Sequence, residues 1–571
     1  MIKQSWIRIG LIAVSLLAVA CAGGGGRPSA ATESAQPPRP AGPKRIVAAI
    51  WGDPKTLNPA MNQIGAGGSG GVSEIALLLN VGMADVDFTT VVEPRLAERI
   101  PSLENGLWKL LPDGRMETTF TIRPDARWHD GTPVSSDDLV FTVTVGQDPE
   151  TALLRDRAYQ SVESVEPVDA RTVVVRWMAP YVWADSLFSA NTVPLPSHIL
   201  ESQFNASRQG FIASDYWTSE FIGTGPFKLR DFERSSHLVM QANDDYILGR
   251  PRIDEIEVRF ILDPAIIIAN VMAGAIDMNI GRGPSLDQGL KARDAWPDGK
   301  LDLVYKSWVA LFPQFINPNP AIIGDVRFRK ALMHALDRQT MADTFAGGLV
   351  PVPHTYLGPT FPEWKEVESA AVRYDYDPAR AAQMIEDLSY TRGTDGFFRD
   401  SAGERLGVEL RTSADDDYKN PLFFSAADYF QRAGVGAETL VIPRQRLQDR
   451  EWRANRPGFE VVRQPNDLTE AALKRMMSSE AALPVNNYRG ANRTRYASPE
   501  LDGLINRFLT TIPHAERMEV LRGVIHHISD QLPAMGIAYV VEGWLYNNRV
   551  QNFSGPGNTR NGHVWDLGVG G

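Results

Sequence analysis

From Arg45 onward, hydrophobic positions fall into short continuous runs and longer helical stripes. Ile46-Val47-Ala48-Ala49-Ile50-Trp51 is an apolar run closed by Gly52-Asp53-Pro54, which predicts a buried first strand. Glu117 to Arg123, Arg171 to Trp177 and Glu255 to Leu262 are rich in β-branched and aromatic residues, and predict further strands. Helical stripes alternate with them. After the turn Asp130-Gly131-Thr132-Pro133, Ser135 and Asp138 have the spacing of a capping box, and a helix is predicted over Asp137 to Val145. A second is predicted over Phe328 to Phe345, on Leu332, Ala335 and Leu336. A third begins at Ser498-Pro499-Glu500 and carries Leu501, Leu504, Ile505 and Phe508. A fourth runs from His514 to Leu532. A strand with Tyr539 follows, and no fixed repeat interrupts this mixed α/β order.

Before Arg45 the pattern is different. Lys3 and Arg8 precede an apolar run, Ile9 to Ala20, that ends directly at Cys21. Twelve residues of helix span roughly 18 Å, short of the ~30 Å bilayer core, so the run reads as a signal peptide rather than a permanent span. Gly23 to Gly26 and the Ala-, Pro- and Ser-rich stretch to Pro43 have no apolar periodicity and read as a flexible tether.

Length and composition narrow the classes. At about 150 residues per domain, 571 residues imply three or four domains. With 43% hydrophobic and 22% charged residues the chain is globular, and a formal charge of -11 without a basic stripe argues against nucleic acid as a partner. The single cysteine can form neither an intrachain disulfide nor a zinc cluster.

Candidate catalytic motifs are weak. Gly65 to Gly70 fits G-x-G-x-x-G and Gly67 to Gly71 fits G-x-S-x-G, but Pro54, Pro59 and a long loop separate both from the preceding strand. They read as a flexible or ligand-lining loop. His526 and His527 are adjacent on a helix, point about 100° apart and read as solvated or core residues; no metal site is expected. The acidic pairs Asp137-Asp138 and Asp244-Asp245 and the run Asp415-Asp416-Asp417 read as turns or solvated faces, with a glycosidase-like carboxylate pair as the enzyme alternative.

Several ordered motifs carry a resemblance. Thr56-Leu57-Asn58-Pro59 is followed by Arg123-Pro124-Asp125-Ala126-Arg127-Trp128-His129-Asp130-Gly131-Thr132-Pro133-Val134, running into Asp137-Asp138-Leu139-Val140-Phe141. Then come Gly223-Thr224-Gly225-Pro226-Phe227, Asn243-Asp244-Asp245-Tyr246, and Asp325-Val326-Arg327-Phe328-Arg329-Lys330-Ala331-Leu332. Together they resemble the solute-binding proteins of ABC importers, family 5, the oligopeptide, dipeptide and nickel-binding type. Leu17-Ala18-Val19-Ala20-Cys21 resembles a lipobox, with Ala18 in place of the usual leucine.

The resemblance implies an α/β, three-lobed periplasmic-binding-protein-like fold (type II, cluster C) with a hinged cleft. Lobe I would comprise residues 45–90, 218–302 and 535–571, lobe II 91–217 and lobe III 303–534, behind a signal peptide (1–20) and a tether (21–44). It implies a monomeric, non-enzymatic receptor without a cofactor, held extracytoplasmically by a lipid on Cys21, which delivers a ligand to an ABC permease. A peptide is the expected ligand; an oligosaccharide receptor or a secreted carbohydrate-active enzyme are the alternatives. By the same resemblance Asp467 would pair with a ligand α-amino group, the alternative being a helix N-cap before Thr469 to Met477. Tyr539, Asn62, Gln63, Trp308, Phe312 and Phe315 would line the cleft, with a core tyrosine as the alternative at Tyr539. On this reading Cys21→Ser shifts the protein from the membrane to the soluble fraction without altering ligand binding. Persistence in washed membranes would refute the lipid anchor.

Overall fold

The structure, a computed structural model, describes residues 42–62, 71–87, 91–151, 154, 156–189, 192–413, 418–553 and 559–568. The signal-like run, Cys21, the tether to Ala41, Gln63, the Gly65–Gly70 loop and Asp415–Asp417 lie outside them. In chain order, the strands that build the two main sheets are β1 (Arg45–Trp51), β2 (Trp108–Leu110), β3 (Met116–Thr121), β4 (Val162–Asp169) and β5 (Thr172–Trp177). They continue with β6 (Phe227–Glu233), β7 (His237–Ala242), β8 (Glu255–Ile261), β9 (Met278–Asn279) and β10 (Gly299–Pro313). The last four are β11 (Gly407–Ser413), β12 (Gly436–Ile442), β13 (Phe459–Pro465) and β14 (Met535–Asn547).

Ten strands form one sheet in the order β12-β11-β13-β10-β14-β9-β1-β8-β7-β6, and four form a second, β2-β3-β5-β4. The buried side chains sort into three lobes. Lobe I packs on both faces of β1, through Ile46, Ala48 and Ile50 on one side and Ala49 on the other. Lobe II surrounds the small sheet, with Phe120, Val173, Val175 and Trp177 at its centre. Lobe III packs on both faces of β10, Trp308 and Ala310 to one side and Val309 and Leu311 to the other.

Two of the motifs that carry the resemblance meet where lobe II joins lobe I, through His129 and the Gly223–Gly225 segment. Asp138 is only 2% exposed, so it is not the solvated acid expected from its sequence. Besides closing the capping box of helix Ser136–Gln147, its carboxylate accepts from Trp128 Nε1 at 3.0 Å and from Ser197 N and Oγ at 2.8 and 2.7 Å. His129, buried next to it in sequence, bridges to lobe I. Its Nδ1 accepts from Gly223 N at 3.1 Å and its Nε2 donates to Gly225 O at 3.0 Å, which defines the neutral ring. Gly223 and Gly225 must be glycines: a Cβ at Gly223 would lie 2.0 Å from Leu79 O, and one at Gly225 2.4 Å from Leu79 C.

Other predicted elements hold with local corrections. Asp325 caps the helix Val326–Ala335 through Arg327 N. The long helix expected over Phe328 to Phe345 is two, because Asp337 leaves helical geometry and its side chain accepts from Thr340 N to start a second helix, Arg338–Ala346. The helix expected over Thr469 to Met477 is shorter, Glu470–Lys474, and its cap is Thr469 rather than Asp467. In lobe III a buried carboxylate pins the start of β13: burial opposes the charge of Glu460, yet Arg456, Arg453 and Arg493 hold its pKa down to about 2.

Burial lowers the pKa of His129 from 6.5 to about 4. An unfolded chain takes up this proton near pH 6.5 and the folded chain only near 4. The joint therefore contributes fully above pH 6.5 and loses stability as pH falls toward about 4, by up to about 3 kcal/mol. Denaturant titrations at successive pH values should show that loss, and His129→Gln should flatten it. Asp138→Ala, which strands several buried donors, should cost about 3 kcal/mol at any pH; a neutral result would remove the joint role.

Candidate functional site: the waist of the large sheet

The ten-stranded sheet is not uniformly wide. β13 pairs with β10 only from Ser307 to Pro313, and β9 pairs with β14 only at Tyr546, opposite Lys300. Between them, over Leu303–Tyr305 and Val541–Gly543, the sheet narrows to the two strands β10 and β14. Lobe I strands flank this waist on one side and lobe III strands on the other.

Strand directions decide what faces the waist. β1 runs parallel to β9, and β9 is antiparallel to β14; β11 runs parallel to β13, and β13 is antiparallel to β10. The C-terminal ends of β1 and β9 and those of β11 and β13 therefore point toward the waist from opposite sides. In open α/β sheets, loops after the carboxyl ends of parallel strands are where ligands bind. Here two such sets of strand ends face each other: the residues just after Trp51 and the turn Gly281–Ser285 from lobe I, and Tyr418 and the Pro465–Asp467 segment from lobe III.

The waist is polar on one face. Lys300, Asp302, Val304 and Ser307 of β10 share this face with Tyr546, Trp544, Glu542 and Val540 of β14. Arg463, opposite Val309, joins them from β13. Arg463 pairs with Glu542, both side chains being nearly buried at 14% and 11% exposure, and donates to Ser307 Oγ at 2.8 Å. Tyr418 covers the guanidinium, its ring 4.8 Å away, and donates its hydroxyl to Pro284 O of lobe I at 2.6 Å. A hydrogen bond thus already crosses from lobe III to lobe I. Beside it, Tyr546 donates to Asp302 at 2.9 Å, and Lys419 Nζ donates to Ser413 Oγ at 2.6 Å. The turn after β9 lies against the waist itself, since a Cβ on Gly283 would lie 1.7 Å from Gly543 O.

The residues expected to line the cleft are distributed unevenly. Asp467 stands just beyond β13, half-buried, and its Oδ1 accepts from Thr469 N at 3.1 Å and from Thr469 Oγ1 at 2.6 Å. It supports the turn before the cap. Trp308 and Phe312 are core residues, 4% and 8% exposed, and with Gln464, Pro465, Tyr356 and Met476 they surround a small cavity on the face of β10 opposite Arg463 and Glu542. Tyr539 is 2% exposed, with its hydroxyl directed at Thr355 O and Leu357 O, both at 2.8 Å. This is the core alternative, and burial pushes its hydroxyl pKa up. Asn62 accepts from Lys55 N and Thr56 N and donates to Thr56 O and Asn58 O, tying its own loop together. Phe315 lies past the far end of β10, 4.8 Å from the Tyr496 ring and under the Arg329 guanidinium at 4.7 Å. It is away from the waist.

Arg463, Glu542 and Tyr418 escaped the sequence reading. The first two carried a signal: Glu542 is the one charge inside the otherwise apolar strand Tyr539-Val540-Val541-Glu542, and Arg463 follows the apolar pair Val461-Val462. Tyr418 carried none, because its role depends on the fold. Among the described residues, no cluster of histidine, cysteine or carboxylates could hold a metal, and no helix is long and apolar enough to cross a membrane.

Comparisons with known proteins agree with this architecture. The family model for bacterial extracellular solute-binding proteins, family 5 (middle), matches residues 91–466. The oligopeptide-binding protein AppA of Bacillus subtilis is 24% identical over 455 residues, 78% of this chain and 76% of its own. A relative from Brucella ovis is 28% identical over 297 residues, about half of each chain. Among solved structures, AppA with a nonapeptide superposes with a TM-score of 0.69 at 20% identity, covering 92% of this chain and 100% of that one. NikZ of Campylobacter jejuni with Ni(L-His) gives 0.72 at 19% identity, covering 91% and 99%. NikA of Brucella suis with Fe(III)-EDTA gives 0.74 at 18% identity, covering 92% and 100%.

A buried ion pair that loses one partner leaves an uncompensated charge, which costs about 3–5 kcal/mol, whereas replacing both by apolar residues is often neutral. Arg463→Met and Glu542→Met should each lower stability in denaturant titrations, and the double variant should recover most of the loss. Additive losses would show that the pair is not coupled.

Proposed function

Because the chain belongs to family 5 of the bacterial extracellular solute-binding proteins, we propose that it captures a peptide between lobes I and III and presents it to the permease of an ABC importer. Capture takes place at the waist, where the carboxyl ends of β1, β9, β11 and β13 point at a two-stranded ladder from opposite sides. That convergence is the observation that carries the reading. Two strands resist bending less than ten, so the halves can swing about β10 and β14 and close on a ligand without breaking either core. Lobe II moves with lobe I through the His129 joint, which Asp138 braces from within lobe II by holding Trp128.

A peptide is favoured because AppA, the relative aligned over most of both chains, is an oligopeptide-binding protein. The same fold holds metal complexes in NikZ and NikA, so fold alone does not choose. In this chain the waist offers paired opposite charges, Arg463 with Glu542, and the carboxylate of Asp467 at its edge. A zwitterionic chain with free amide groups matches such a surface better than an anionic chelate does. Trp308 and Phe312 lie on the opposite face of β10 from Arg463 and Glu542, around a small cavity of the lobe III core, and take no part in this polar surface. Cys21, predicted to carry lipid, would keep the receptor beside its importer.

Native mass spectrometry of the protein purified from its own cells should show a peptide or peptide mixture released on activation. A sugar, a metal complex or turnover of the bound molecule would each refute the peptide reading. Asp467→Ala should reduce the retained fraction about tenfold or more; equal retention would remove Asp467 as the anchor.

A further inference from the structure

Lobe II is tied to lobe I, yet one of its loops reaches lobe III. Tyr181, stacked on Trp177 of the lobe II core with ring centroids 5.3 Å apart, donates its hydroxyl to Glu470 Oε2 at 3.1 Å. Glu470 opens the short helix that follows Asp467, and it pairs with Lys474. The next residue, Val182, donates its backbone N–H to Leu509 O at 3.3 Å, close to the end of the helix Pro499–Thr510. Trp183 packs on Phe508, with ring centroids 6.4 Å apart. In the opposite direction Ile512 of lobe III inserts into the lobe II core and is 7% exposed. Behind it Arg517 donates to Ile512 O at 3.0 Å and faces the carboxylate of Asp185. The contact is reciprocal and joins residues about three hundred positions apart in sequence.

Its position gives it a consequence. β10 and β14 form the covalent link across the waist, and this contact bridges the same two halves away from it. Swinging lobe III from lobe I about the waist separates Ile512 from the lobe II core and breaks the Val182 and Tyr181 hydrogen bonds. The contact therefore belongs to the closed arrangement.

We propose that the Tyr181–Ser186 loop and the Leu509–Arg517 corner form a clasp that holds the two halves together before any ligand binds. The clasp fixes the fraction of empty receptor that is already closed, and so sets affinity through residues that do not touch the ligand. A closed state made tenfold rarer weakens apparent affinity for a ligand that selects it by up to tenfold. This inference rests on the receptor reading for its functional meaning, but the clasp itself is testable without ligand.

Small-angle scattering on the full chain in a Cys21→Ser background, stripped of ligand, provides the test. A compact chain of this size has a radius of gyration of roughly 24 Å. Ile512→Lys, which drives a charge into the lobe II core, should raise it by about 1 Å, and Tyr181→Phe with Trp183→Ala should produce a smaller rise. The gentler pair keeps the test open if the lysine variant does not fold. In folded variants, hydrogen exchange at Val182 should accelerate at least tenfold while the waist strands stay protected. Unchanged scattering and unchanged exchange at Val182 would overturn the clasp, whether or not ligand is captured. Opening of the variants, with no ligand ever found on the wild-type protein, would leave the clasp standing and remove the receptor reading.

Discussion

The ladder of β10 and β14 is the constraint on which the rest depends. Each strand runs through two hydrophobic cores, and between those cores the pair has no neighbouring strand on either side. Two consequences follow from that narrowing. The lobes are each locked by large buried clusters, and the backbone passes between lobes I and III along these two strands, so the softest motion of the molecule is one half against the other. The parallel strands of both lobes also end at the hinge, so the loops that a sheet of this kind devotes to ligands are all delivered to one place. A polar face in the middle of an otherwise apolar sheet follows from the same geometry: Glu542 and Arg463 occupy positions that would be core if a further strand covered them.

Lobe II has a different kind of attachment. It joins lobe I through buried, directional bonds rather than through shared strands. His129 reads the backbone of Gly223 and Gly225 in lobe I, and inside lobe II Asp138 holds the neighbouring Trp128 together with Ser197. Such joints tolerate little change, because each buried donor or acceptor that loses its partner carries a full desolvation cost. That explains why the most recognisable stretches of the sequence are structural and say little about the ligand.

Much of the fold was legible in the sequence for physical reasons that can be named. Buried strands such as Ile46–Trp51 and capped helices such as Ser136–Gln147 are local, and apolar runs and capping side chains specify them without help from the rest of the chain. Legibility failed where tertiary partners decide. Asp337 breaks a stripe that reads as one helix, because its carboxylate caps the second half. Asp138 reads as a solvated acid until Trp128 and Ser197 are placed around it. At the site, the resemblance pointed to Asp467, which stands just beyond β13, but Trp308 and Phe312 are packed in the lobe III core, Tyr539 points its hydroxyl into lobe III and Phe315 lies at the other end of its strand. The Arg463–Glu542 pair and the Tyr418 bridge depend on register across strands more than seventy residues apart in sequence, which no periodicity encodes.

The central claim is that ligand is held at the waist, between the strand ends of the two lobes. Hydrogen-exchange mass spectrometry on the protein as purified and after its ligand has been stripped by reversible denaturation tests this most directly. The account predicts that stripping deprotects Gly281–Ser285, the backbone around Tyr418 and the Gln464–Thr469 segment, and leaves the lobe cores unchanged. Exchange differences confined to the outer faces of lobe II or lobe III, with those waist segments unaffected, would contradict it.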